Sequence, residues 1–276
     1  MQIRFESSRK EVAQMDTDTL RDNFLVKDIF RDGEIHFVYS HYDRVIIGGA
    51  IPLATPLAIP VFDALKASYF LERREIGIIN IGGDGEVIAD GEHFPVSKLG
   101  CVYVGKGTKE VLLASKNPAE PAAYYLLSSP AHQTYPTRLF TKEDATPATV
   151  GSMETSNHRT IYKYIHLDGI QSCQLVMGLT VLQTGSVWNT MPSHVHDRRM
   201  EAYCYFDVPE NQRVLHLMGE PSETRHLWVA NRQAVISPPW SIHSGCGTSN
   251  YAFIWGMAGE NKDYTDMDPV LIGDLR

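Results

Sequence analysis

A chain of 276 residues, 43% hydrophobic and 21% charged, can bury one large core or two of about 140 residues each, which excludes mini-protein, fibrous and wholly disordered architectures. A formal net charge of −8 offers no basic footprint for phosphates, so nucleic acid is excluded as a partner and small molecules or copies of the same chain are favoured. The most apolar stretch, residues 45–61, is broken by Gly48, Gly49, Thr55 and three prolines, and no window approaches the roughly 18 apolar residues of a membrane span.

Residues 1–6 have neither a basic-then-apolar leader pattern nor a transit-peptide composition, and the expected location is cytoplasmic. Residues 16–24 predict a short helix, with Asp16 as its cap and Leu20 and Phe24 four apart on one face. Beyond it the chain reads as short Val, Ile, Tyr and Phe runs separated by Gly, Pro, Asp and Asn: 76–81, 102–104, 124–127, 173–182, 202–206, 214–218, 226–229, 234–236 and 251–255. The expected class is all-β, with a few short helices. Gly82-Gly83-Asp84-Gly85 reads as a hairpin turn, and Gly105-Lys106-Gly107-Thr108 as a turn without P-loop context. Residues 128–151, with Pro130, Pro136 and Pro147, read as a connector between halves.

The halves echo each other. Glu72-Arg73-Arg74-Glu75 and Asp197-Arg198-Arg199-Met200-Glu201 each precede an apolar run, and residues 102–108 pair in the same order with 235–241. The organisation expected is an N-terminal segment (1–29), an N-terminal barrel (30–130), a connector (131–150) and a C-terminal barrel (151–276). Cys101, Cys173, Cys204 and Cys246 lie far apart with no C-x-x-C, which suits buried free thiols.

Chemistry concentrates in the second half. In a strand, His194 and His196 project to one side about 6 to 7 Å apart and can share a metal ion. Glu201 on the next strand and His243 from a distant one would complete a shell of three imidazoles and one carboxylate, suited to Zn²⁺, Mn²⁺, Fe²⁺ or Ni²⁺. His36, His41, His93, His132, His158, His166, His216 and His226 lack a partner at ligand spacing, although His41 and His226 can line a pocket. Tyr203 and Tyr205 alternate onto the Glu201 face, as pocket groups or core filling. Arg159, Arg199 and Arg225 are candidates to bind a carboxylate, each with an ion-pair role as the alternative. Asp266-Met267-Asp268 reads most simply as a solvated acidic turn, or as carboxylates returning over a barrel mouth.

Gly185, Pro192 and Glu201 frame the His pair as in the first cupin motif, and Pro239 precedes His243 as in the second. The sequence from His194 to Glu201, followed by Pro238-Pro239-Trp240-Ser241-Ile242-His243-Ser244-Gly245, resembles the 5-keto-4-deoxyuronate isomerase (4-deoxy-L-threo-5-hexosulose-uronate ketol-isomerase) family. Tyr39-Ser40-His41, residues 69–75 and 103–107, Trp188-Asn189-Thr190-Met191-Pro192, residues 223–226 and 253–257 extend the likeness over essentially the whole chain. The Gly185 to His194 spacer is longer than in cupins generally, and no Gly stands two residues after Pro239.

The resemblance implies a duplicated cupin, or jelly-roll β-barrel, with one Zn²⁺ per subunit in the C-terminal barrel. It further implies a homohexamer and interconversion of 5-dehydro-4-deoxy-D-glucuronate with 3-deoxy-D-glycero-2,5-hexodiulosonate during breakdown of pectin and similar polymers. Tyr203 and Tyr205 are then the catalytic candidates and the three arginines the substrate-binding ones. The N-terminal barrel, with no H-x-H ahead of Glu72, is expected to be metal-free. The alternatives are 5-deoxyglucuronate isomerase of inositol catabolism, a cupin dioxygenase and a sugar-binding module.

Overall fold

The computed structural model describes residues 1–260 and 266–276. Two compact units form. One comprises residues 1–3, 28–146 and 163–177, and the other residues 4–27, 147–162 and 178–276.

Both halves repeat one β architecture, a seven-stranded sheet with a four-stranded one. In the first, the larger sheet runs in the order Gln2–Arg4, Ile35–Ser40, Ile46–Ala50, Tyr124–Pro130, Arg74–Asn80, Cys101–Val104, Arg138–Phe140. Its smaller partner is Leu57–Ala58, Val111–Ser115, Gly85–Ala89, Glu92–Val96. In the second half the larger order is Ala148–Val150, Arg159–Ile165, Val176–Leu182, Ala252–Gly259, Arg199–Phe206, Gln233–Ser237, Leu25–Val26. The smaller is Trp188–Asn189, Ser244–Gly247, Val214–Glu220, Glu223–Val229. The two sequence echoes fall on corresponding strands of this duplicated jelly roll. In the first unit the core is one inward face, with Ile76, Ile78, Val102, Val104, Leu113 and Leu126; in the second, Val235 shares the face of Tyr203 while Ile236 and Ile254 lie on the opposite face, and these residues, with Leu179, are all at most 1% exposed.

Each larger sheet ends on a segment from outside its own barrel in sequence. Leu25 and Val26, both fully buried, pair with Val235 and Ala234, which places residues 4–27 in the C-terminal unit. Arg138–Phe140, inside the stretch read as a connector, pairs with Cys101–Val104. An uncovered edge would leave backbone donors and acceptors unpaired, and these segments supply the pairing.

The helix Thr17–Phe24 has Asp16 as its cap, accepting from the Thr19 N–H at 2.8 Å, and buries Leu20 and Phe24. A second helix, Arg9–Val12, starts with a Ser8–Glu11 capping box. The 82–85 turn is not a hairpin, because it carries the chain from Arg74–Asn80 in the larger sheet to Gly85–Ala89 in the smaller. Gly83 is required there, since a Cβ would stand 2.0 Å from the Glu120 carbonyl oxygen. All four cysteines are free, and Cys246 alone among them is partly exposed. Among the described residues no helix is long and apolar enough to cross a membrane.

Glu75 opens the central Arg74–Asn80 strand and is fully buried. Its carboxylate accepts from the Tyr103 hydroxyl at 2.8 Å, Ser129 at 3.3 Å, and the backbone N–H groups of Cys173, Gln174 and Leu175 at 2.7, 2.8 and 3.0 Å. This pins residues 173–175 as a loop, so the strand expected over 173–182 is Val176–Leu182. Glu75→Ala strands five buried donors, and we expect a loss of about 3 kcal/mol or more of unfolding free energy, read by denaturant titration.

Candidate metal centre

Arg199–Phe206 is an interior strand, paired on one side with Gln233–Ser237 and on the other with Ala252–Gly259, and all its residues are buried. Alternation turns Glu201, Tyr203 and Tyr205 to one face. His243 directly precedes the Ser244–Gly247 strand of the smaller sheet. His194 begins the short His194–Val195 strand, and the His196 N–H donates to the Pro239 carbonyl at 2.9 Å, tying together the two sequence motifs.

These elements bring His194, His196, Glu201 and His243 together, with one potential ligand atom from each lying within 4.8 Å of all the others. His243 Nε2 is 3.0 Å from His194 Nε2 and 2.9 Å from Glu201 Oε2, and His196 Nε2 is 3.4 Å from the same oxygen. His196, Glu201 and His243 are at most 4% exposed. Several lone-pair atoms facing one another in a desolvated interior is the arrangement that a cation relieves, and this donor set fits a borderline divalent metal. His243 Nδ1 lies 3.3 Å from the Ser241 carbonyl oxygen, an acceptor that favours Nε2 as the free ligand atom. Burial, then the neighbouring His243 ring, pulls the His194 imidazole down to about 3 from an ordinary 6.5, so it is neutral and available near neutral pH. Burial alone would raise the Glu201 carboxyl, but the His243 and His196 rings hold it well below the usual carboxylate range.

Beside the cluster stands a layer of neutral polar groups. The Tyr203 hydroxyl pairs with Thr190 Oγ1 at 3.1 Å, and its ring centroid is 5.6 Å from that of His243. The Tyr205 hydroxyl meets His216 Nδ1 at 2.7 Å, and Asn189 donates to the Tyr251 hydroxyl at 2.6 Å. Gly245 makes room for this layer, since a Cβ there would lie 2.6 Å from Asn189 Nδ2 and 2.9 Å from the Tyr205 hydroxyl. Burial raises Tyr203 and Tyr205 well above the ordinary phenol value, so both are protonated. His216 is the residue that ligand spacing missed: its partner, Tyr205, is on the opposite sheet, and only the fold makes them neighbours.

The three arginines separate. Arg199 is fully buried and its Nη2 lies 2.6 Å from Asp266 Oδ1. Arg225 is held by Glu223 at 2.9 Å and by the Ala13 carbonyl at 2.6 Å. Arg159 donates to the Asn157 carbonyl at 2.8 Å, and burial lowers its pKa while the Tyr203 and Tyr251 phenols act in the opposite sense. Of the two readings of Asp266, a solvated turn or a return over a barrel mouth, the second fits: its side chain is only 6% exposed, because the C-terminal chain returns to pair Asp268–Pro269 with His194–Val195. Asp268 is exposed. His226 is exposed, and His41 packs edge-on against Tyr39 in the other unit.

The model of the KduI/IolB family matches residues 24–270. The 4-deoxy-L-threo-5-hexosulose-uronate ketol-isomerases of Shouchella clausii and Halalkalibacterium halodurans are each 55% identical to the chain over 276 residues, covering all of both proteins. That of Caldicellulosiruptor bescii is 53% identical over the same span. Among solved structures, an IolB-like protein of Salmonella typhimurium LT2 superposes with a TM-score of 0.74 at 16% identity, over 90% of this chain and 97% of that one. A point mutant of Bacillus subtilis oxalate decarboxylase gives 0.57 at 12% identity, over 82% and 71%. Both share the fold.

Burial also brings the His216 imidazole down to about 3, so with His194 it binds fewer protons folded than unfolded between that value and 6.5. Their contribution to stability is therefore complete above about pH 6.5 and is lost as the pH falls towards 3. Metal-free protein in EDTA is expected to lose unfolding free energy steadily over this window, and His216→Gln to lose it less steeply. Equal slopes in denaturant titrations at several pH values would remove His216 from this account.

Proposed function

The chain belongs to the KduI/IolB family, and on that footing we propose how its second barrel works as a ketol-isomerase on 5-dehydro-4-deoxy-D-glucuronate, giving 3-deoxy-D-glycero-2,5-hexodiulosonate. The observation that carries the reading is the convergence of three imidazoles and a carboxylate inside the barrel. In this reading His194, His196, Glu201 and His243 hold one Zn²⁺ per subunit, and the N-terminal barrel has a structural or interfacial role.

The reaction moves a hydrogen between adjacent carbons and needs no redox partner, only groups that hold a proton and steady the charge left on the substrate oxygens. Zinc, when bound, supplies a Lewis acid that polarises the substrate carbonyl. Tyr203, protonated and shared with Thr190, can donate a hydrogen bond to a substrate oxygen and steady the charge that develops there. Tyr205 is anchored by His216, fixing where its hydroxyl points. A uronate also brings a carboxylate into a partly desolvated barrel, which is costly without a counter-charge. Arg199 and Arg225 are committed to protein partners, so Arg159 is the guanidinium assigned to it. We place the enzyme in the cytoplasm as a homohexamer, acting in the breakdown of pectin and related uronate polymers.

NMR of the purified protein with the keto-uronate, before and after chelation, tests substrate, reaction and metal together. Conversion is expected to stop on chelation and return with Zn²⁺, while turnover of 5-deoxyglucuronate instead would move the chain to the inositol branch. His243→Ala should lose most activity and stay folded. Arg159→Lys should raise KM about tenfold by breaking the fork geometry, with Arg225→Lys near wild type. An unchanged KM in Arg159→Lys would end its assignment to the carboxylate.

A further inference from the structure

The ligand histidines have a second layer of support, and part of it comes from the far end of the chain. We propose that Asp266, fixed by Arg199, is a positioning residue for His196 and controls how long the centre retains its metal. This rests on the metal-binding reading above.

Three observations meet at Asp266. Its Oδ1 lies 3.7 Å from His196 Nδ1, while His196 Nε2 faces Glu201, so the two ring nitrogens look in different directions, one toward the ligand cluster and one toward the carboxylate. The same oxygen is 2.6 Å from Arg199 Nη2, a fully buried guanidinium two residues before Glu201 on the same strand. The backbone holds the arrangement in register: His194 pairs with Pro269, Val195 with Asp268, and the Val270 N–H donates to the Ser193 carbonyl at 2.9 Å. The C-terminal segment is thus laid along the strand that begins with His194.

The chemistry follows from charge. At 3.7 Å the carboxylate makes a charge contact rather than a hydrogen bond with Nδ1, and it favours the tautomer with the proton on that nitrogen. That leaves Nε2 as the lone-pair donor and fixes the ring's orientation. His243 obtains the same orientation from the Ser241 carbonyl, so both fully buried histidines of the cluster have an oxygen behind the ring. Arg199 supplies the counter-charge that lets a second carboxylate sit near Glu201 without repelling it.

Zinc-loaded wild type, Asp266→Asn and the double variant Arg199→Gln/Asp266→Asn, freed of excess metal, are challenged with a chromophoric chelator. Asp266→Asn is expected to release zinc about 10–100-fold faster than wild type. The double variant, which leaves no unpaired buried charge, should release it equally fast, and it decides the matter if the single variant does not fold. In Co²⁺-loaded protein both variants should also shift the visible ligand-field bands. A purely anchoring role for the Arg199–Asp266 pair predicts a lower Tm of the metal-free protein with wild-type release and spectrum, and that result overturns the inference. Wild type that retains no metal overturns the metal centre itself, and this inference with it; wild type that retains zinc beside variants releasing it at the same rate overturns this inference alone.

Discussion

Four ligand atoms gathered within 4.8 Å in a nearly dry interior are the constraint around which the C-terminal barrel is arranged. Such a gathering is unfavourable in itself, since imidazole nitrogens and a carboxylate oxygen offer lone pairs to one another where water cannot intervene. It persists because each side chain is fixed by an element whose formation has other causes. Glu201 lies on an interior strand paired along both edges, His243 leads into a strand of the facing sheet, and His194 is held by the returning C-terminus. Apolar burial in two sheets thus holds polar atoms in a geometry they would not adopt alone.

The two halves show one architecture solving different problems. Each opens its central strand with an acidic–arginine run, and each presents a buried glutamate there. Glu75 meets hydroxyl and backbone donors, so its charge is satisfied by the protein and it serves as a loop anchor. Glu201 faces imidazoles and can share them with a cation. Duplication explains the common scaffold, and the partners supplied from other strands decide what each carboxylate does.

Local chemistry made the helix at Asp16 and most strand positions legible in the sequence, because capping and apolar alternation act over a few residues. Three of the four clustered side chains were legible for a related reason: a two-residue His spacing and a carboxylate five residues on are short-range signals, whereas His243 is marked by the likeness of residues 238–245 to the second cupin motif. Features created by tertiary return were not. Asp266 reads most simply as a solvated turn, with a return over a barrel mouth as the alternative, because nothing near it in sequence names His194–Val195 as the segment it comes back along. His216 looked isolated because Tyr205 reaches it from the other sheet, and three equivalent arginines separated only once Asp266, Glu223 and the Ala13 carbonyl were in place. Similarly, Leu25–Val26 has no sequence feature that names Val235 and Ala234 as its partners.

Charge balance connects the site to the kind of ligand the barrel suits. Near the cluster, Arg199 pairs with one carboxylate, Asp266, while Glu201 faces the His196 and His243 rings. The histidine His194 is held neutral, as are Tyr203, Tyr205 and His216, so none of these offsets the Glu201 charge near neutral pH. A divalent cation on the cluster would bring more charge than the single Glu201 carboxylate removes. On the proposed reading, a barrel interior of that polarity would disfavour cationic ligands and favour an anionic one. The same groups whose gathering is unfavourable alone would then make the metal-bound cluster selective for anions.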